Sequence, residues 1–158
     1  MKSEIPEYKE REIKTISNNR KAFHDYTIIT KFEAGIILQG TEVKSLRSGR
    51  CSLVDAYCVL RNQELYLINL HINEYNHGNR ENHKPKRERK LLLHEYELNK
   101  LKIATAEKGM TIVPLELYFS GHIVKVEIAT VKAKKKYDKR EATKEREHKR
   151  EINRKMKY

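Results

Sequence analysis

The side chains with the clearest chemistry in this sequence are cations. Residues 132–158 hold thirteen Lys or Arg against five Asp or Glu, so this stretch carries about eight of the net charge of +12. A second cluster lies in residues 73–90, where Arg80, Lys84, Lys86, Arg87, Arg89 and Lys90 outnumber Glu74, Glu81 and Glu88, with His77 and His83 interspersed. Lys and Arg at this density neutralise phosphates, and His can stack on an unpaired base. DNA, RNA and an anionic membrane surface all answer the charge alone. A solvated loop and a solvated tail are the alternatives for each cluster taken singly; the two together favour RNA.

Catalytic and metal chemistry have weaker cases. His71, His77 and His83 recur every six residues, wider than common ligand spacings and without Cys or carboxylate partners, so no metal is expected. His24-Asp25 has the composition of a general base and its orienter. Neighbouring residues of a strand point to opposite faces, so this pair is not expected to meet. There is no Gly-rich phosphate loop, no G-x-S-x-G and no paired carboxylate motif, and neither an enzyme nor a cofactor is expected. Cys51 and Cys58 are the only cysteines, which agrees with a reducing compartment. No run nears the ~20 apolar residues of a membrane span, and residues 1–11 are polar. The expectation is a soluble cytoplasmic protein.

The elements that hold these groups read as follows. Residues 1–17 look like a flexible leader. Tyr26, Ile28, Thr30 and Phe32 alternate with Thr27, Ile29 and Lys31 as the two faces of a strand do, and Gly35 suggests a bulge or bend. Thr41 as N-cap and Gly49 as C′ residue bracket a short helix with Glu42 in its first turn. Ala56, Cys58 and Leu60, then Leu65 to Leu70, make a hairpin across Asn62-Gln63. Leu91 to Ala106, with Leu91, Leu98 and Leu101 on one stripe and Gly109 as its stop, is the longest helical candidate. Thr111, Val113, Leu115, Leu117 and Phe119 form one face of a strand in which Pro114 requires an edge or bulge. Val124, Val126 and Ile128 face inward from the last strand.

About five antiparallel strands with inserted helices suit a mainly β fold, an OB-fold-like closed β-barrel with about two or three helices. Periodicity does not separate that from an open α+β sheet. The barrel would span residues 18–131 and the basic tail 132–158. Glu145→Lys149 and Glu151→Lys155 are favourable helical pairs, each worth only ~0.2–0.5 kcal/mol. Ordering each residue's backbone costs roughly 1–2 kcal/mol, so the free tail is expected to be disordered and to become helical when bound.

Particular residues go further. Asn18-Asn19-Arg20-Lys21-Ala22-Phe23-His24-Asp25-Tyr26, Phe32-Glu33-Ala34-Gly35 and Gly40-Thr41-Glu42-Val43-Lys44-Ser45-Leu46-Arg47 resemble the small protein B family of tmRNA-binding proteins. So do Arg89-Lys90-Leu91-Leu92-Leu93-His94, Gly109-Met110-Thr111-Ile112-Val113-Pro114-Leu115 and Tyr137-Asp138-Lys139-Arg140-Glu141. Each segment is weak alone; six in family order are specific. The resemblance implies an OB-like barrel without catalytic activity that binds the tRNA-like domain of tmRNA. It implies entry into the A site of a stalled ribosome with tmRNA and GTP-bound elongation factor Tu, the protein standing in for the anticodon arm. A monomer with no membrane partner is expected.

The resemblance also implies residue roles. Arg20, Lys21, Glu33, Arg47, Lys90, Leu92 and His94 fall at or near the tmRNA surface. Glu33 either accepts hydrogen bonds from RNA or makes a salt bridge to Arg47 or a lysine, and Leu92 either meets RNA or belongs to the core. His24 faces the decoding centre or is a buried structural histidine. The tail residues Lys134, Lys135, Lys136, Tyr137, Asp138, Lys139, Arg140, Lys144 and Arg146 contact the ribosome, the helix lying along small-subunit rRNA in the vacant mRNA channel. Two positions depart from the family pattern. Ala133 replaces a glycine, implying a stiffer hinge, and Lys84 replaces an aspartate before the loop proline, making that loop more basic.

Overall fold

The computed structural model describes residues 11–76 and 81–157, with the side chains of residues 136–138 outside that description. The elements in chain order are β1 (Ile13–Asn18), α1 (Arg20–Asp25), β2 (Tyr26–Ile36), α2 (Gly40–Arg47), β3 (Cys51–Ser52), β4 (Tyr57–Arg61), β5 (Glu64–Ile68), β6 (His71–Ile72), β7 (Arg89–Leu92), α3 (Glu95–Ala106), β8 (Met110–Ser120), β9 (Ile123–Ala133) and α4 (Lys136–Lys155). Seven strands form one sheet in the order β1-β8-β4-β5-β7-β2-β9, and β8 pairs with β9 as well. β3 and β6 form a separate short ladder. The fold is mainly β, with four helices among the described residues. None of those helices is long and apolar enough to cross a membrane.

Local chemistry accounts for the joints. Asn62 and Gln63 both take positive φ, 49° and 63°, as a two-residue type I′ hairpin requires. The β8 register shifts between Pro114 and Glu116, where proline lacks the ladder N–H. This bulge divides the strand between two cores. Ile112 and Leu117 join the main cluster with Leu65, Leu67, Leu91, Leu101, Val126 and Ile128. Val113 and Leu115 join a smaller one with Ala22, Ala129 and Val131, beneath α1. The expected single face from Thr111 to Phe119 is therefore broken by its own proline-induced bulge.

Other expectations are corrected. The leader expected over residues 1–17 includes a strand: Ile13 to Asn18 pair with Ser120 to Glu116 in β8, which would otherwise have an open edge there. Residues 1–10 lie outside the described residues. Leu91 is in β7, not in the helix, because its alternation with Lys90 and Leu92 serves a sheet. Gly35 is not a bulge; the β2 irregularity falls between Ile28 and Thr30. At Gly35 the Leu92 side chain comes so near that an added Cβ would lie 3.3 Å from Leu92 Cβ. The α2 N-cap is Gln39, and the Thr41 hydroxyl bonds His83 Nδ1 at 2.9 Å instead. The tail, expected to be disordered when free, is the longest helix of the described structure. Its first turns are tied to α1, which supplies the tertiary contacts that local ion pairs lack.

The loop 73–90 is likewise less open than its charge suggested. Arg89 has a fully buried side chain and donates through Nε to Glu42, whose carboxylate is also fully buried. Arg89 further donates to the carbonyls of Leu70 (2.6 Å) and Pro85 (3.1 Å). Arg87 Nε reaches the other Glu42 oxygen at 3.1 Å, and the Gln39 N–H donates to it at 3.0 Å. His83 is buried between Thr41 and the Ile72 carbonyl (2.9 Å), so it cannot stack on a base. His77 and Arg80 lie outside the described residues. Cys51 and Cys58 are free thiols.

Burial by itself raises the Glu42 carboxyl pKa, but bonds from Arg87, the Gln39 backbone and Arg89 outweigh it and hold the group below its ordinary value of 4.5. A carboxyl depressed by folding stabilises the native state fully above that ordinary value. The contribution is lost as pH falls through the lower folded value. Acid titration of unfolding should therefore show a stability loss setting in below about pH 4.5. Glu42→Gln should weaken that dependence. Arg89→Met should cost about 3–5 kcal/mol in urea unfolding, since it strands a buried carboxylate.

Candidate nucleic-acid interface

Three of the residues singled out in the sequence meet in one groove. Glu33 and Gly35 share a face near the end of β2, and Leu92 pairs opposite Gly35 from β7. His94 caps α3, and β9 adds Ile123 and Lys125. The groove holds about 600 Å³ and is also lined by Tyr96. Leu92 is 51% exposed, which places it at the surface and not in the core. Gly35 lets it lie close across the sheet.

Glu33 accepts from the Tyr118 hydroxyl and lies 3.8 Å from Lys125 Nζ. The salt-bridge partner is thus Lys125, not Arg47. Burial first, and the Glu33 carboxylate second, push the Tyr118 phenol well up, so it stays a donor. The remaining carboxylate lone pairs of a half-exposed Glu33 can accept from base N–H groups or a ribose 2′-OH. The His94 and Tyr96 rings stack at 5.5 Å with an interplanar angle of 9°, and Tyr96 is 61% exposed. Lys100 Nζ sits 5.6 Å from the Tyr96 ring centre. A flat aromatic shelf, an apolar Leu92, a pinned acceptor and nearby cations are what an unpaired base and its backbone need.

Arg47 stands apart, in a neighbouring cleft with Glu12, Lys14, Phe119, Gly121 and His122. Lys90 lies on the same β7 face as Leu92 but is held 2.8 Å from Glu64, each raising or lowering the other's pKa in the sense that keeps both charged. Arg20 is exposed on α1. Lys21 is paired with Asp55 at 2.9 Å in solvent.

At the α1 end, His24 and Asp25 do meet, contrary to expectation, because they close a helix and not a strand. His24 Nδ1 lies 3.0 Å from Asp25 Oδ1, and this bond, with Lys139 adding to it, holds the Asp25 carboxyl below its ordinary value. His24 Nε2 lies 3.2 Å from Thr143 Oγ1 of α4. Lys139 Nζ is 3.6 Å from Asp25, and the Lys134 N–H donates to the Asp25 carbonyl at 2.9 Å. Half-exposed and bonded on both ring nitrogens, His24 is a docking point for the tail. Lys135, Arg140, Lys144 and Arg146 are exposed. The backbone of Lys136, Tyr137 and Asp138 begins α4; their side chains lie outside the described residues.

The two regions are far apart. Tyr26 pairs with Ala133 at one end of the β2–β9 ladder, and Gly35 with Lys125 at the other. At ~3.3 Å per residue, the strand separates His24 from Glu33 by roughly 25 Å. Sequence reasoning missed Tyr96, Tyr118, Ile123 and Lys125 in the groove. Tyr96 carried a usable signal, two residues beyond His94 in a polar helix start; the others converge only through strand register. Among the described residues no cluster of His, Cys, Asp or Glu is arranged to hold a metal ion.

The geometry has parallels among known proteins. A family model described as SmpB protein matches residues 16–158. An SsrA-binding protein of Carboxydothermus hydrogenoformans is 55% identical over 139 residues, covering 88% of this chain and 93% of the relative. One from Geobacter sulfurreducens is 54% identical over the same length, covering 88% and 91%. A chain in a solved structure described as "tmRNA-SmpB: a journey to the center of the bacterial ribosome" superimposes with a TM-score of 0.65 at 43% identity, covering 80% of this chain and 93% of that one. The groove and the docked basic helix are therefore features of a chain that belongs to the SmpB protein family.

Proposed function

We propose that this protein binds the tRNA-like domain of tmRNA and delivers it to the A site of stalled ribosomes, acting in trans-translation by standing in for the anticodon arm. The observation that carries this reading is the separation of two dissimilar surfaces by the length of β2. At one end lies a groove suited to unpaired nucleotides, with Glu33, Leu92 and His94 as its tmRNA contacts and Lys90 beside it. At the other lies a cationic helix fastened to α1. One surface selects the RNA while the other meets the ribosome.

In this reading the extra β8–β9 pairing, which returns the strand order on itself, closes an OB-like barrel. Arg20 and Lys21 touch the tmRNA backbone, and His24 reaches the decoding centre once Thr143 releases it. Lys134, Lys135, Lys136, Tyr137, Asp138, Lys139, Arg140, Lys144 and Arg146 line the small-subunit rRNA, with α4 in the empty mRNA channel. Elongation factor Tu joins through the tmRNA complex, and the protein acts as a cytoplasmic monomer. The work it does is binding, with no bond made or broken by its own side chains.

Electrophoretic or filter-binding titrations at stated salt should give tmRNA an affinity at least about tenfold above that for bulk tRNA, with no RNA cleavage on prolonged incubation. Equal affinity for unrelated structured RNA would make the chain a general RNA-binding module. Turnover lost in His24→Ala would make it a nuclease. Removing residues 134–158 leaves β9 whole. That truncation should retain nearly all tmRNA affinity while abolishing tagging on stalled ribosomes in a reconstituted translation assay; a large affinity loss would reduce the tail to an electrostatic anchor.

A further inference from the structure

Little in the sequence of α4 starts the helix or supports its outer turns. Its N-cap residue, Lys135, makes no side-chain capping bond. Every residue from Lys144 to Lys157 is exposed, so no packing supports those turns. Nucleating a helix is unfavourable by about a thousandfold, and surface ion pairs do not repay that. The first turn has to be supplied from outside, at the root of α4.

The end of α1 supplies it. The β2–β9 ladder finishes on the Tyr26–Ala133 pair, which sets the next residues, Asp25 and Lys134, side by side. The Lys134 N–H donates to the Asp25 carbonyl at 2.9 Å, and Lys134 Nζ donates to the Phe23 carbonyl at 3.3 Å. Lys139 closes the first turn, its N–H bonded to the Lys135 carbonyl at 3.2 Å, while its Nζ lies 3.6 Å from the Asp25 carboxylate. One turn further on, Thr143 falls on the same face and meets His24 Nε2 at 3.2 Å. His24 is itself held by Asp25 at 3.0 Å. Asp25 thus joins the residue before the N-cap, the first turn and, through His24, the second. A carboxylate beside the N-terminal end of a helix is also favoured by the helix dipole. The base of this arrangement is firm: the Asn19 side chain accepts from the Ala22 N–H at 3.2 Å and donates to the Pro114 carbonyl at 2.8 Å, and Ala22 packs into the second core.

We infer that Asp25 is the positioning residue of the tail: it holds the first turns of α4, directly through Lys134 and Lys139 and indirectly through His24 and Thr143, so that the helix starts at α1 and frays outward. The inference rests on the reading of α4 as the ribosome-binding element and extends it, since the helix is set at its root before any ribosome is met. When His24 leaves Thr143 for the decoding centre, the Asp25 contacts to Lys134 and Lys139 keep the root in place.

The test is residue-resolved amide hydrogen exchange on the full chain without RNA. Amides of residues 139–147 should exchange about tenfold or more slowly than in an unstructured chain, with protection fading towards residue 157. Thr143→Val removes the hydroxyl while keeping the shape and the helix propensity, and Asp25→Asn removes the charge. Each should cut that protection about threefold or more, the worth of one hydrogen bond, and Thr143→Ser should restore it. Glu107→Gln is the charge-matched control, because its partner is Lys132 of β9. The thermal midpoint reports on the barrel; Thr143 lies on the exposed tail, so its variants decide the matter even where Asp25→Asn unfolds. Exchange at unstructured-chain rates in the unmutated tail, or a Thr143→Val tail that matches Glu107→Gln, overturns the inference. Affinity for tmRNA, measured in parallel, separates the two readings: Thr143→Val should leave it unchanged, and a lack of tmRNA selectivity in the unmutated chain removes the function proposed above while the protected root still stands.

Discussion

The α2 and β7 walls of the groove and its neighbouring cleft depend on one buried carboxylate. Glu42 is shut off from water and shared between Arg89, Arg87 and the Gln39 backbone. Taking a carboxylate and a guanidinium out of water is costly, and only dense hydrogen bonding repays it. The payment here is complete: no buried side-chain nitrogen or oxygen of the described residues lacks a partner. The consequence is geometric. α2 cannot rotate without breaking the bonds of Glu42, and β7 cannot slide without dragging Arg89 from the Leu70 and Pro85 carbonyls. Arg47 at the end of α2 and Leu92 at the end of β7 are thereby held in place.

A second constraint is the bulge at Pro114. By turning β8 between two apolar clusters, it lets one strand serve the main core and also the small core beneath α1. That second core anchors Ala22, and with it the helix that presents His24 and Asp25 to the tail. The long β2–β9 ladder then spaces this end from the groove. The groove and the docking point of the tail therefore lie at opposite ends of one ribbon of hydrogen-bonded backbone.

Cations in this protein divide into two kinds. Arg89 is a structural charge with no access to solvent, and Arg87 is mostly committed beside it. Arg47, Lys14 and the outer face of α4 are free to meet an anion among the described residues. Net charge counts both kinds alike, which is why the loop at residues 73–90 looked like an RNA-binding cluster. Arg87 and Arg89 of that loop both turn to Glu42, a buried glutamate that needs them.

The sequence by itself determined the motif series, the hairpin at Asn62-Gln63, the need for a break at Pro114 and the concentration of charge after Val131. These are local facts: turn geometry, a missing N–H and composition are properties of neighbouring residues. Tertiary structure alone decided that Glu33 meets Tyr118 and Lys125, that Arg89 is buried, that residues 13–18 are a strand and that the tail is a docked helix. Each of those depends on partners at least 45 residues away, or on the register between strands, and residue spacing carries no record of which strand lies beside which. The pair at His24-Asp25 shows the difference most simply. Read as a strand, its side chains point apart; at the end of a helix capped by Asn19 and anchored by Ala22 in the second core, they touch.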